Sequence, residues 1–287
     1  VAPILVVSLI QIDLIFERNI TESTMNIRLK LSSLGLALLG SFIFLGCKGN
    51  GNSDGKSAII LDSIVDKDSV ILLGQSSKGD TATLDYEFHF VYPKGNARVL
   101  TNYIATILGR EYVDLSPQEI RAKYRSNTVA AAKEEYKDAD DEYFAHTKPQ
   151  RINVFSVDTV CVEDKFVSVR YSRSIYEGGA HGYHEDIALN FDTKTGKQIT
   201  ESDLFISGYQ EKLEQKILEC MDKDTREMLF SEQTEPNGNF MLTDKGIYYY
   251  FNPYEVGPYA AGVISSFIPW NELTELIKPY SLGESYL

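Results

Sequence analysis

From Gln150 to Thr200 the chain carries three β-type stretches in succession with only short breaks between them. "RINVFSVDTVCV" and "KFVSVRYSRSIY" alternate apolar and polar residues across a turn at Glu163-Asp164. "GYHEDIALNFDTKTGKQIT" continues as a strand and a hairpin with Gly196 in its turn. Breaks this short leave no room for a crossover, so these strands run antiparallel. The same alternation recurs in "TLDYEFHFVYP": Leu84, Tyr86, Phe88 and Phe90 fall on one face, and Asp85, Glu87 and His89 on the other. Ala58 to Leu73 reads as one or two further strands.

Helical spacing separates these blocks. Leu100, Tyr103, Ile104, Ile107 and Leu108 share one face. A second helix starts with Ser116 as N-cap, Pro117 in the first turn and Glu119 closing a capping box, and is expected to reach about Tyr143. Its acidic tail, Asp138, Asp140, Asp141 and Glu142, lacks the glycine and terminal glutamate of a calcium loop and reads as a solvated face. Further on, "YQEKLEQKILECM" places Leu213, Ile217, Leu218 and Met221 on one face. "FMLTDKGIYYYFNP" is a hairpin, "AAGVISSFIP" a strand and "WNELTELI" a short helix. Strands and helices in separate runs predict an α+β fold. Its sheets are largely antiparallel with packed helices, in two consecutive subdomains, 58–176 and 177–287.

The first 57 residues follow a different logic. After Met25, Arg28 and Lys30 precede an apolar run, Leu31 to Leu45, that is short for a membrane span. It ends in "FLGC", and a polar, glycine-rich stretch follows. This is the layout of an export signal (25–46) ahead of a flexible tether (47–57), with Cys47 as the lipid-bearing residue of a lipobox-like site. Residues 1–24 read as an over-extended start. The expected location is therefore the bacterial cell envelope, anchored by lipid and facing outside the cytoplasm. In an exported chain Cys161 and Cys220 can form a disulfide or remain two buried thiols. The net charge of −13 disfavours nucleic acid and favours basic partners.

Chemistry is sparse. No serine-elbow, zincin, P-loop or dinucleotide-binding pattern occurs, so no cofactor is expected. Of the four histidines, His89, His146, His181 and His184, only the last two are close in sequence. Glu177 and Glu185 could complete a metal set around them, but extended residues three apart point to opposite faces, so the imidazoles diverge. Tyrosine is abundant, with 18 in the chain, and concentrates in "YYYF" and "NPYEVGPYAAG". In "GIYYYF", Ile247 and Tyr249 can be buried while Tyr248 and Tyr250 face the other way. The loop that follows can serve packing or recognition.

Taken together, Gly178-Gly179-Ala180-His181, the Asp192 to Lys197 hairpin, Asp203-Leu204-Phe205, the Pro253 to Gly262 loop and the Ile268 to Leu273 close resemble the extracytoplasmic domain shared by RsiV and PdaC. RsiV is a lysozyme-sensing anti-sigma factor, and PdaC is a peptidoglycan deacetylase. "FHFVYPKGNARVLTNYIATIL" resembles the preceding family segment. The resemblance makes 58–176 PdaC-like and 177–287 RsiV-like. It lacks the sigma-binding segment of the one and the catalytic domain of the other. It implies a stand-alone binding lipoprotein without activity of its own, recognising cell-wall glycan or a lysozyme-like protein. The expected surface is formed by Glu177, His181, Tyr183, His184, Tyr254, Glu255 and Tyr259, provided that the two loops meet. The competing expectations are an envelope hydrolase using Glu177, His181 and Glu255 in a closed pocket, and a purely structural lipoprotein.

Overall fold

The computed structural model describes residues 59–72, 82–136, 150–231, 233–279 and 281–287. The expected signal and tether with Cys47, the acidic run from Asp138 to Glu142, and His146 lie outside the described residues.

A five-stranded sheet has the order β1 (Ile60–Ile71), β2 (Thr83–Lys94), β3 (Gln150–Val162), β4 (Phe166–Tyr176) and β5 (Tyr183–Asp192). All its pairs are antiparallel except β2 with β3. A parallel pair needs a crossover. Here the connection contains helices α1 (Ala97–Ile107) and α2 (Pro117–Glu135). The face of β2 that alternation predicted to be buried, Leu84, Tyr86, Phe88 and Phe90, packs with Val99, Tyr103 and Ile104 of α1 and Ile120 of α2 in one core. Ser116 and Glu119 form the expected capping box. Asn96 caps α1 by accepting from Val99 N–H, and its own amide donates to the Thr193 carbonyl, which ties the helix to the hairpin after β5. That hairpin turns at Gly196 with φ 73°, and a Cβ there would lie 2.7 Å from the Arg98 carbonyl oxygen. Only glycine meets both demands.

The second sheet comprises β6 (Phe240–Leu242), β7 (Gly246–Phe251) and β8 (Ile264–Pro269). One face, with Ile247, Tyr249 and Phe251, shares a core with Leu213 and Ile217 of α4 (Gln210–Cys220) and with Leu204 of the short α3 (Glu201–Leu204). A fifth helix, the short α5 (Lys223–Glu227), follows α4. The opposite face carries Met241 and Tyr250, which pack on Ala188 of β5. The tyrosine run of β7 therefore divides as its alternation predicts, and both of its faces serve packing.

Three asparagines join the sheets. Asn239 accepts from Ala188 N–H at 2.7 Å and donates to the Asp186 carbonyl at 2.9 Å. Asn252 accepts from Asp186 N–H at 2.7 Å. Asn190, in the middle of β5, donates to the Phe240 carbonyl and accepts from Leu242 N–H. These amides substitute for backbone partners, so the outer edge of β5 and the adjoining edge of β6 are satisfied without a further strand.

Three expectations meet the structure here. The boundary at 176/177 falls inside a hairpin, because Ile175 of β4 pairs with Tyr183 of β5; the change of sheet comes after Asp192. The glycine corner closes a hairpin rather than separating subdomains. Of the two cysteine readings, the structure has no disulfide between Cys161 and Cys220; each is half-buried against the second core. Burial pushes the Cys220 thiol pKa up, which keeps it protonated. In addition, the closing helix is a single 3-10 turn, Trp270–Leu273.

Candidate functional site

The β4–β5 corner and the loop after β7 meet. Glu177, His181, Tyr183, His184, Tyr254, Glu255 and Tyr259 all line one open groove of about 540 Å³, together with Ile175, Glu185 and Asn252. The two segments are more than 60 residues apart in sequence. Their convergence follows from the docking of the second sheet on β5, which Asn252 extends to the corner itself through its contacts with Asp186.

Each wall has a local cause. Gly178 and Gly179 sit at φ 99° and 91°, a left-handed pair that reverses the chain. Gly182 passes so close to β4 that a Cβ there would lie 2.7 Å from the Ile175 carbonyl oxygen. Tyr176 donates to the Gly179 carbonyl and braces the turn. On the other wall Tyr254 has φ 72°, the single positive φ outside glycine among the described residues. For an L-residue this costs roughly 1–2 kcal/mol. The loop imposes it: Tyr254 N–H donates to Gly257 O, Glu255 N–H donates to Asn252 O, and the Glu255 carboxylate accepts from Asn252 N–H at 3.0 Å. Backbone strain held in place by its surroundings concentrates at functional positions. Here it projects a tyrosine ring that is 59% exposed.

The aromatic groups form a cluster. The His181 ring stacks on Tyr259 with centroids 4.2 Å apart, and Tyr254 lies 5.8 Å from Tyr259. His181 Nδ1 is 3.1 Å from the Gly182 carbonyl oxygen, so that nitrogen carries the proton, and Nε2 faces Tyr254 Oη at 3.4 Å. His184 turns to other partners, as the three-residue spacing predicts. Its Nδ1 meets Ser174 Oγ at 2.7 Å and its Nε2 meets Asp186 Oδ1 at 3.2 Å. The hydrogen bond to Asp186 holds the His184 pKa above the ordinary histidine value, against the opposing effect of burial. No group of three or more His, Cys, Asp or Glu fit to hold a metal occurs among the described residues.

The carboxylates are anchored from behind. Glu177 pairs with the buried Arg151 at 2.8 Å, and Arg151 also pairs with Glu135 at the end of α2. Glu185 pairs with Arg173 and accepts from Tyr183 Oη at 2.6 Å, which raises the Tyr183 pKa. Glu255 accepts from Asn252 and Asn237, both through Oε2. The contacts that bind these carboxylates thus run to Arg, Asn and Tyr rather than to His181. Arg173, Arg151, Asn237 and Asn252 were not among the expected site residues, and Glu185 was weighed only as a metal ligand. The strand alternation of Tyr183 and Glu185 was the one signal that could have added Glu185. The Arg and Asn partners arrive by long-range packing. Elsewhere on the sheet, His89 lies between Val65 and Ser156 on neighbouring strands, and burial lowers its pKa.

Residues 202–271 match the model of a family described as a protein of unknown function, DUF3298. The match includes the Asn252–Tyr259 wall of the groove but not the Glu177–His184 wall. A crystal structure of a DUF3298 family member from Bacteroides fragilis is similar with a TM-score of 0.66 and 21% identity, covering 80% of this chain and 98% of that one. A DUF3298 family protein from Pseudomonas aeruginosa PAO1 gives a TM-score of 0.48 at 15% identity, covering 78% and 97%. No curated protein matches. The Bacteroides likeness shows a shared fold.

Proposed function

We propose that this chain is a lipid-anchored, extracytoplasmic binding protein without catalytic activity of its own, and that its ligand docks in the groove between the β4–β5 corner and the Asn252–Tyr259 loop. One observation carries the reading: the expected residues converge as an open surface with exposed Tyr183 and Tyr254, not as an enclosed acid–base site. Tyrosine with a free ring face and a polar tip is the residue type enriched at recognition surfaces. A hydrolase built on Glu177, His181 and Glu255 needs proton-transfer groups aligned on one another. Here the hydrogen bonds of both carboxylates instead support backbone and neighbouring side chains.

The ligand classes implied by the resemblance are cell-wall glycan and a lysozyme-like protein. The acidic lining and the net charge of −13 favour the basic protein, whose approach the field would steer. The test is calorimetry of the exported chain with lysozyme and with peptidoglycan fragments at low salt, repeated with Tyr254→Ala. Binding that falls at least about tenfold in the variant, on the order of 1.4 kcal/mol, is the expected result. Absence of binding to either ligand, or turnover of a peptidoglycan fragment, would overturn the proposal.

A further inference from the structure

We infer that the groove holds the guanidinium group of an arginine side chain presented by a basic protein, between the Tyr254 ring and the Glu255 carboxylate. This rests on the binding reading above and deepens it by naming the chemistry of the bound group.

The charge inventory of the groove is one-sided. Glu177, Glu185 and Glu255 line it, and no lysine or arginine does. Arg151 and Arg173 compensate the first two. Glu255 has no lysine or arginine partner among the described residues. Its two hydrogen bonds both enter Oε2, which orients the carboxylate. The lining histidines are engaged elsewhere: His184 by Asp186, and His181 by the Tyr259 ring and the Gly182 carbonyl. The groove thus presents an uncompensated negative group beside open aromatic faces.

Aromatic faces attract cations through the ring quadrupole, and a carboxylate attracts them by charge. Guanidinium satisfies both at once, since it is planar, stacks on a tyrosine ring and presents N–H groups to a carboxylate. An ammonium does the second but stacks poorly. The openness of the groove suits a side chain protruding from a large partner rather than an enclosed small molecule. A neutral sugar would stack on Tyr254 but leave Glu255 uncompensated.

The test titrates N-acetyl-arginine amide, N-acetyl-lysine amide, a glucosamine oligomer and an N-acetylglucosamine oligomer into the whole exported chain, following the ring signals of Tyr183, Tyr254 and Tyr259 by NMR. The variant is Glu255→Gln, whose side-chain carbonyl can still accept from Asn252 and Asn237 and so preserves the loop. The expected result is saturable shifts of Tyr254 with the arginine amide, weakened roughly tenfold by Glu255→Gln and by high salt. If the lysine amide or the glucosamine oligomer binds as tightly, the assignment to guanidinium is wrong. If the neutral oligomer shifts the same rings regardless of salt and of Glu255→Gln, the cation reading falls and the groove remains a binding site. If none of the four moves these rings, the inference is overturned. The calorimetry with lysozyme and peptidoglycan then decides separately whether the protein binds a ligand at all.

Discussion

His184 shows how one side chain connects the groove to the interior. It lies on the sheet face shared with Asp186 and Ser174, and Asp186 is in turn 3.6 Å from Arg170. Asp158, at the bulge of β3, acts on the same histidine, and burial raises its own pKa. Because the folded pKa of His184 is raised, its stabilising contribution is complete below the unfolded value of about 6.5 and fades as pH rises through the folded pKa. The stability difference between the native chain and His184→Gln is therefore expected to be larger at pH ~5.5 than at pH ~9. Urea midpoints at the two pH values measure this, and an equal or reversed difference would contradict it. The three-residue spacing in HGYH, His181 to His184, implied that the two imidazoles point apart. It did not show what each would meet, because Ser174 and Tyr259 are brought in by pairing and packing.

At the scale of elements, local signals were legible and long-range ones were not. Alternation identified β2 to β5 and β7, and capping chemistry identified the start of α2. The parallel pairing of β2 with β3 was not legible, since strand order depends on where a crossover returns rather than on local pattern. The hairpin at Asp192–Lys197 was read correctly, but its role in bracing α1 was not. Gly196→Ala tests that role. The variant must hold an unfavourable φ and push a Cβ against Arg98, so a loss of about 1–3 kcal/mol in unfolding free energy is expected by chemical denaturation. A change within a few tenths would mean that the hairpin and helix part without cost. The asparagine contacts had one sequence hint: Asn190 interrupts the apolar pattern of β5, in a structure type that disfavours asparagine. Its partners on β6 lie about 50 residues away, beyond any local reading.

In the whole molecule, the elements of two sheets together form one groove. No helix among the described residues is long and apolar enough to cross a membrane. The proposed anchorage rests on Cys47 alone. Cys47→Ser is expected to abolish incorporation of labelled fatty acid and to move the protein from the membrane to the soluble fraction. Unchanged fractionation would remove the lipid anchor from the proposal. The seven expected groove residues came from two stretches read separately, and only the docking of the second sheet on β5 makes them neighbours. That docking depends on side-chain amides occupying the outer edge of β5. If the sheets parted, the exposed edges of β5 and β6 would both be open to strands from other molecules. Variants that loosen Asn190, Asn239 or Asn252 would then reveal themselves first as aggregation on storage, before any measurable loss of secondary structure.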